Sequence, residues 1–196
     1  EGHSFPTRRS SDLNDLAFGL KYAVVSDPAN GTIASVGLRY TAPTGTIDTG
    51  GLDLNGTGAG YPNPFVTGLQ EIDALQLQGS LGAQIALSEE NWSYIHGSAH
   101  ANYEVMPGLY PVVETSFFIP VDGGDQIVGG PLGQLTGADI IDIGADDPQP
   151  IWTIGGGVRY AITDNFMLGV GADVNVLQDE NHVYGWRVLA DAVIHF

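Results

Sequence analysis

Alternating polar residues between His96 and Glu104 are the part of this chain best suited to chemistry. They are His96, Ser98, His100, Asn102 and Glu104. On a helix, His96, His100 and Glu104 would share one face and could bind a metal ion. Gly97, the two-residue alternation and the nearby Pro107 predict a strand instead. On a strand the two histidines lie about 13 Å apart, too far to bind one metal ion, so we predict a solvated wall and no metal site.

Ser98 is the one candidate nucleophile in this stretch. It would need a histidine from a neighbouring strand within hydrogen-bond distance, as in hydrolases that use serine, histidine and asparagine. Nothing in the sequence of a single strand supplies that histidine. We therefore predict that the protein is not an enzyme and has neither catalytic residues nor a cofactor.

Charged residues of the predicted strands fall on the polar side of the alternation. They are Lys21, Arg39, Glu104, Glu114, Arg159, Asp173, Arg187 and Asp191. Cross-strand neighbours lie about 5 Å apart, so these cations can pair with carboxylates of adjacent strands. Such pairs would be either structural ties or a constriction that sets selectivity. Together with His96 and His100, these residues are the ones that we predict to line an aqueous lumen.

Aspartates between Asp122 and Asp147 form a second group of potential ligands. Carboxylate oxygens suit Ca²⁺, but the spacing matches neither an EF-hand loop nor a Gly-Gly-x-Gly-x-Asp repeat. We interpret this segment as an acidic, solvated loop.

Two-residue alternation recurs along most of the chain and predicts about eight strands of about ten residues, the length a tilted strand needs to cross a bilayer. The predicted strands cover 16–24, 34–40, 75–87, 95–105, 113–119, 152–162, 166–176 and 186–196. An arginine or lysine that faces lipid at mid-depth costs about 2 to 4 kcal/mol, so the exclusion of charge from the apolar faces favours a lipid-facing surface. A soluble β-sandwich, whose apolar faces pack on each other, stays open as an alternative.

The last predicted strand is apolar on one face, charged on the other, and ends on Phe196. Arg187, Asp191 and His195 lie on its polar side. This strand resembles the C-terminal strand of bacterial outer-membrane β-barrels, in which the terminal aromatic residue is part of the insertion signal. By that resemblance Phe196 would be read by the outer-membrane assembly machinery.

The composition excludes some partners. The formal net charge of −17 comes from 23 acidic and 6 basic residues, which leaves no basic patch for a phosphate backbone, so nucleic acid is excluded. The absence of cysteine fits an envelope protein. No apolar run reaches the roughly 18 residues of a transmembrane helix. Many of the 28 glycines fall inside strand patterns, as expected of a sheet that curls.

The start of the chain does not read as part of a fold. Ser4–Leu13 reads SFPTRRSSDL, the codon-by-codon translation of a common sequencing adapter. A twin-arginine signal around Arg8 and Arg9 is the alternative, but no apolar stretch of about 7 to 15 residues follows it. We expect residues 1–13 not to be native, and the barrel domain, 14–196, to be truncated at its N-terminus.

Two long segments, 43–72 and 121–150, interrupt the strand pattern. Outer-membrane barrels place long loops outside the cell and short turns in the periplasm. Counting back from a periplasmic Phe196 puts 121–150 outside but 43–72 in the periplasm. Three explanations stay open: a further strand near Tyr61 to Gly68, an error in the count near Met106, or a segment that folds into the lumen.

Several segments together resemble a family of outer-membrane barrels known mainly as transporters and related to the barrel associated with meta-pathway phenol degradation. They include DLAFGLKYAVV, SVGLRYTAPTG, YPNPFVTG, QGSLGAQIAL, YEVMPGLYPVVE and GGGVRYAITDNFMLGVG, and the resemblance extends over nearly all of 15–196. The resemblance implies no catalytic residues in this chain.

This resemblance implies an all-β fold, an antiparallel transmembrane β-barrel of the outer-membrane type, located in the bacterial outer membrane. Its partners would be the lipid bilayer, the assembly machinery and a small-molecule permeant. Its function would be a passive channel or transporter for small molecules, aromatic or hydrophobic ones among them. The alternatives are a secreted or periplasmic β-sandwich binding module and a structural barrel without a transport role.

Overall fold

A computed structural model describes residues 15–45, 59–89, 91–122, 150–177 and 185–194, where the chain forms nine β-strands and one short 3-10 helix. The elements are β1 (Leu16–Asp27), the 3-10 helix (Pro28–Asn30), β2 (Thr32–Ala42), β3 (Tyr61–Ile72), β4 (Leu75–Gln84), β5 (Ser93–Tyr103), β6 (Leu109–Asp122), β7 (Ile151–Thr163), β8 (Phe166–Asn175) and β9 (Trp186–Ile194). Each strand pairs antiparallel with the next, so they form one up-and-down sheet with β1 and β9 at its edges. The predicted all-β antiparallel fold is confirmed. No helix in these ranges has the length and apolar character needed to cross a membrane.

The strand β3 corrects the sequence prediction. It occupies the last 12 residues of 43–72, which we predicted as one long connection, and it is the further strand near Tyr61 to Gly68 that was one of the three open explanations. It raises the strand count from about eight to nine. Pro62 and Pro64 hide it, because proline is disfavoured inside a central strand. In a strand, the amide and the carbonyl of one residue point to the same neighbour. The Pro62 carbonyl accepts a hydrogen bond from the Ile85 amide, so Pro62 and Pro64 lack their N–H donors on the side that faces β4. The ladder between β3 and β4 begins only at Phe65, beyond both prolines, and is therefore not interrupted by them.

The ninth strand also removes the conflict over the connections. Residues 28–31, 73–74, 104–108 and 164–165 now join strands at one end of the sheet, and 43–60, 85–92, 123–150 and 176–185 join them at the other. We call these the short-turn end and the long-connection end. Asp73 (φ 52°) and Gly108 (φ 80°) provide the left-handed backbone that tight turns require at the short-turn end. Residues 1–13 and Phe196 lie outside the described residues.

The two faces of the sheet differ in chemistry and in exposure. On the apolar face, large side chains such as Leu20 (85% exposed), Leu81 (50%) and Val170 (53%) lie open. The buried polar residues include Ser35, Thr153, Asp173 and Asn175, which all lie on the polar face. Because the described strands make one layer, they bury the polar face only if the sheet curves around it.

The sandwich alternative therefore has no support in the described strands. A sandwich needs a second sheet packed on the apolar face. The nine strands belong to one sheet, and its apolar face is the exposed one. The arrangement is that of a barrel wall, with a polar concave side and an apolar convex side.

Candidate functional site: the concave polar face

All ten residues predicted to line a lumen lie on the polar face. They are Lys21, Arg39, His96, His100, Glu104, Glu114, Arg159, Asp173, Arg187 and Asp191. The strand register places several of them in the same cross-strand row. His100 lies opposite Glu114, and Arg159 and Asp191 lie on either side of Gly169. Glu104, just beyond β5, accepts hydrogen bonds from the Tyr110 hydroxyl (3.2 Å) and the Gly108 amide (3.0 Å).

Two of the cations form ion pairs between strands. Arg187 donates to Asp173 Oδ2 from both Nη2 (2.7 Å) and Nε (3.1 Å), and Arg159 Nη2 lies 3.2 Å from Asp191 Oδ2. The first pair joins neighbouring strands, β8 and β9. The second spans β7 to β9, and a Cβ on the intervening Gly169 would collide with the Asp191 carboxylate. Glycine at this position therefore makes the second pair feasible.

Lys21 and Arg39 differ from these two arginines. Within the ranges that the structure describes, neither has a carboxylate within ion-pair distance. The carboxylate of Glu114 lies instead 3.7 Å from His100 Nδ1. Positive charge is thus uncompensated along β1 and β2 and compensated along β7 to β9.

The two histidines belong to separate clusters. His96 Nε2 lies 3.1 Å from Asn63 Nδ2 and 3.3 Å from Asn63 Oδ1, and its ring stacks on Phe118 at a centroid distance of 6.1 Å. His100 faces Glu114 and Asn102. In the described part of the chain, no group of three potential ligands is placed to hold a metal ion.

Ser98 is bonded to another serine. Its hydroxyl lies 2.7 Å from the Ser80 hydroxyl on β4, and among the described residues no hydrogen bond joins Ser98 to a histidine. Among the described residues, no hydrogen-bonded base is therefore placed to take the proton of the Ser98 hydroxyl. The arrangement does not provide the geometry that nucleophilic catalysis needs.

A row of small hydroxyl side chains crosses the polar face, and the sequence did not reveal it. The row, which we call the hydroxyl row, consists of Ser35, Thr67, Ser80, Ser98, Ser116 and Thr153, and ends at Asn175. Each member lies directly opposite the next on the neighbouring strand, from β2 to β8. Only the alignment between strands reveals this row, because within any one strand the hydroxyl residue is ordinary.

Aromatic rings lie next to the hydroxyl row on the side of the long-connection end. Phe65, His96 and Phe118 are in the adjacent cross-strand row, and Tyr94 contacts both His96 (5.9 Å) and Phe118 (5.8 Å). The Phe65 ring occupies the space where a side chain at Gly37 would lie. We call these four residues the aromatic layer. From the aromatic layer towards the short-turn end, strands β3 to β6 thus present rings, then hydroxyls, then a row with amide and charged groups such as Gln78, His100 and Glu114.

Comparison with known families adds to this geometry. No curated protein matches the chain. The profile of the family described as "Putative MetA-pathway of phenol degradation" matches residues 1–185, which is nearly the whole sequence. The single antiparallel sheet and the extent of that match agree with the resemblance found in the sequence segments. The chain therefore belongs to the family related to the MetA pathway of phenol degradation.

Proposed function

We propose that this chain forms the wall of an outer-membrane β-barrel through which small molecules, aromatic or hydrophobic ones among them, diffuse passively. The observation that carries the proposal is the inverted sheet, with apolar side chains exposed on the convex face and polar side chains buried on the concave face. In water this arrangement would expose a very large apolar patch, whereas in a bilayer the same patch contacts hydrocarbon. The edges β1 and β9 would be paired with each other or with further strands, since open edges do not occur in hydrocarbon.

The layers of the concave face fit a permeant that has both a ring and polar groups. Aromatic rings attract one another in offset or edge-to-face contacts, and Phe65, Phe118 and Tyr94 offer such partners. The hydroxyl row next to them both donates and accepts hydrogen bonds. A small aromatic molecule could thus pass from the rings to the hydroxyls without losing all of its partners at once.

The proposal is tested by the permeability of vesicles that contain the refolded chain. Methyl glucoside and phenyl glucoside are neutral and cross lipid slowly. They differ only in the group on the glycosidic oxygen, which is methyl in one and a phenyl ring in the other. We expect vesicles with the chain to swell in both, and to swell in phenyl glucoside at least as fast as in the smaller methyl glucoside. A simple sieve would pass the smaller sugar faster. Vesicles that swell no faster than protein-free ones would favour a structural barrel without a transport role.

Insertion gives a second prediction, which concerns Phe196. If the terminal aromatic residue is the insertion signal, deletion of Phe196 from the chain exported behind a cleavable signal peptide should reduce the outer-membrane fraction by at least tenfold. The protein would instead be degraded in the periplasm. Phe196→Tyr keeps an aromatic ending and should assemble normally. Fractionation and immunoblotting measure both, and equal outer-membrane yields from the deletion and the intact chain would contradict the proposed assembly route.

A further inference from the structure

Lys21 and Arg39 are diagonal neighbours on the polar face of β1 and β2. Lys21 lies opposite Gly37, and Arg39 lies opposite Gly19. Diagonal cross-strand neighbours are about 7 to 8 Å apart. The Phe65 ring covers Gly37 opposite Lys21, and Gly19 places no side chain beside Arg39. Because neither cation has a carboxylate partner within the described ranges, the two produce a local positive field. The chain as a whole carries a net charge of −17, so this field is opposite in sign to the average.

Lys21 also lines two adjoining cavities. The first, of about 280 Å³, is an open recess along the edge strand β1, lined by Lys21, Arg39 and Phe65 and also by Phe18 and Leu20 of the apolar face. The second, of about 350 Å³, extends from Lys21 across β2 to β5 as far as His100. A ligand whose charged group binds Lys21 therefore has space for its remaining atoms on the concave face, at the small end of the size range of ligand pockets.

The larger cavity combines apolar walls with hydrogen-bond donors. Ile33 and Leu69 are aliphatic residues that lie on the polar face, opposite each other on β2 and β3. Ser80 and Ser98 line the same cavity, and their hydroxyls are 2.7 Å apart. In such a pair one hydroxyl donates to the other, so the second keeps its proton for a ligand. The two carboxylates of the neighbouring positions already have partners: that of Glu114 lies 3.7 Å from His100, and that of Glu71 accepts a hydrogen bond from Gln76 (2.9 Å).

We propose that this part of the concave face is a binding site for a small organic anion with an apolar body. The acid group of the ligand binds Lys21, and Arg39 adds positive charge nearby. The hydroxyl of Ser80 or Ser98 donates a hydrogen bond to the same acid group. The apolar body packs against Ile33 and Leu69. The inference rests on the proposed channel function, since it names a class of permeant, and it adds a site at which that permeant pauses.

Equilibrium dialysis of the refolded full chain in detergent micelles tests the site without requiring transport. The probes are benzenesulfonate and phenyltrimethylammonium, which carry permanent charges of opposite sign on the same ring. We expect the sulfonate to bind more tightly than the ammonium compound. An acidic chain attracts cations non-specifically, so a preference for the sulfonate must come from local cations. Equal binding of both probes, or tighter binding of the ammonium compound, would overturn the site.

Three variants assign the binding to Lys21. Lys21→Met should weaken sulfonate binding at least tenfold, and Lys21→Arg, which keeps the charge, should retain most of it. Arg159→Gln removes a cation that is already paired with Asp191, so it should leave binding unchanged. Circular dichroism of each variant shows whether it has folded. Equal binding by Lys21→Met, Lys21→Arg and the unchanged chain would overturn the assignment.

The vesicle assay separates this inference from the channel proposal. Vesicles that pass phenyl glucoside, combined with sulfonate binding that does not depend on Lys21, would refute the anion site alone. Binding that depends on Lys21, in a chain that passes neither sugar, would refute the channel alone.

Discussion

Replacement of Leu81 by arginine is expected to prevent assembly of the barrel. Leu81 lies near the centre of β4, paired with Val66 and Gly97 on its two sides, and its side chain is 50% exposed on the apolar face. If that face contacts hydrocarbon, a guanidinium there costs about 2 to 4 kcal/mol, depending on depth. That cost is a large fraction of the stability of a typical domain, about 5 to 15 kcal/mol. The outer-membrane yield should fall by at least tenfold, as measured by fractionation after export.

The matched control places the same charge on the other side of the same strand. Gln78 lies on the polar face of β4, where its amide donates to Gln76 (2.8 Å) and its neighbour across the ladder is His100. Gln78→Arg would put the guanidinium into a hydrated interior that contains carboxylates, so assembly should proceed. Equal loss from both substitutions would mean that the two faces are not lipid and lumen. Normal assembly of both would place the apolar face in contact with something other than hydrocarbon.

The sequence was sufficient to predict the two faces, because side-chain alternation in a strand is a local property. Charged residues such as Arg39 and Asp173 are on the polar face simply because they are an odd number of positions away from apolar neighbours. The eight predicted strands are all present for the same reason. β3 stayed only one of three open explanations for 43–72, because Pro62 and Pro64 are judged locally as breakers. Their tolerance depends on a neighbour, β4, whose pairing begins beyond them.

The register between strands cannot be predicted from the pattern within one strand. The hydroxyl row exists only because Thr67, Ser80 and Ser98 lie directly opposite one another, and a shift of one residue would move each side chain to the other face. The choice of charge partners is equally non-local. The sequence allowed any cation to pair with any carboxylate on an adjacent strand, yet Arg159 reaches Asp191 across Gly169. Lys21 and Arg39, by contrast, have no such partner within the described ranges.

Burial distinguishes the two arginine–aspartate pairs of the described strands. The Asp173 side chain is 3% exposed, and its Oδ1 is a buried oxygen without a hydrogen-bond partner among the described residues. Asp173 therefore depends on Arg187 for compensation of its charge. In the other pair, both Arg159 and Asp191 are 41% exposed, so water can solvate each charge when its partner is removed.

Arg187→Ala is accordingly expected to destabilise the folded chain by about 3 to 5 kcal/mol, because it leaves a buried carboxylate uncompensated. Arg159→Ala removes the same group from a solvated pair and should cost less than about 1 kcal/mol. Urea unfolding in detergent micelles, followed by tryptophan fluorescence, measures both.

Combining Arg187→Ala with Asp173→Ala should recover much of the loss, since neither charge is then left buried. If the double variant were as unstable as Arg187→Ala alone, the loss would come from the packing of the arginine stem and not from the unpaired carboxylate. Equal losses from the two single substitutions would show that the concave face is uniformly wet, and that the burial of Asp173 does not affect its energetics.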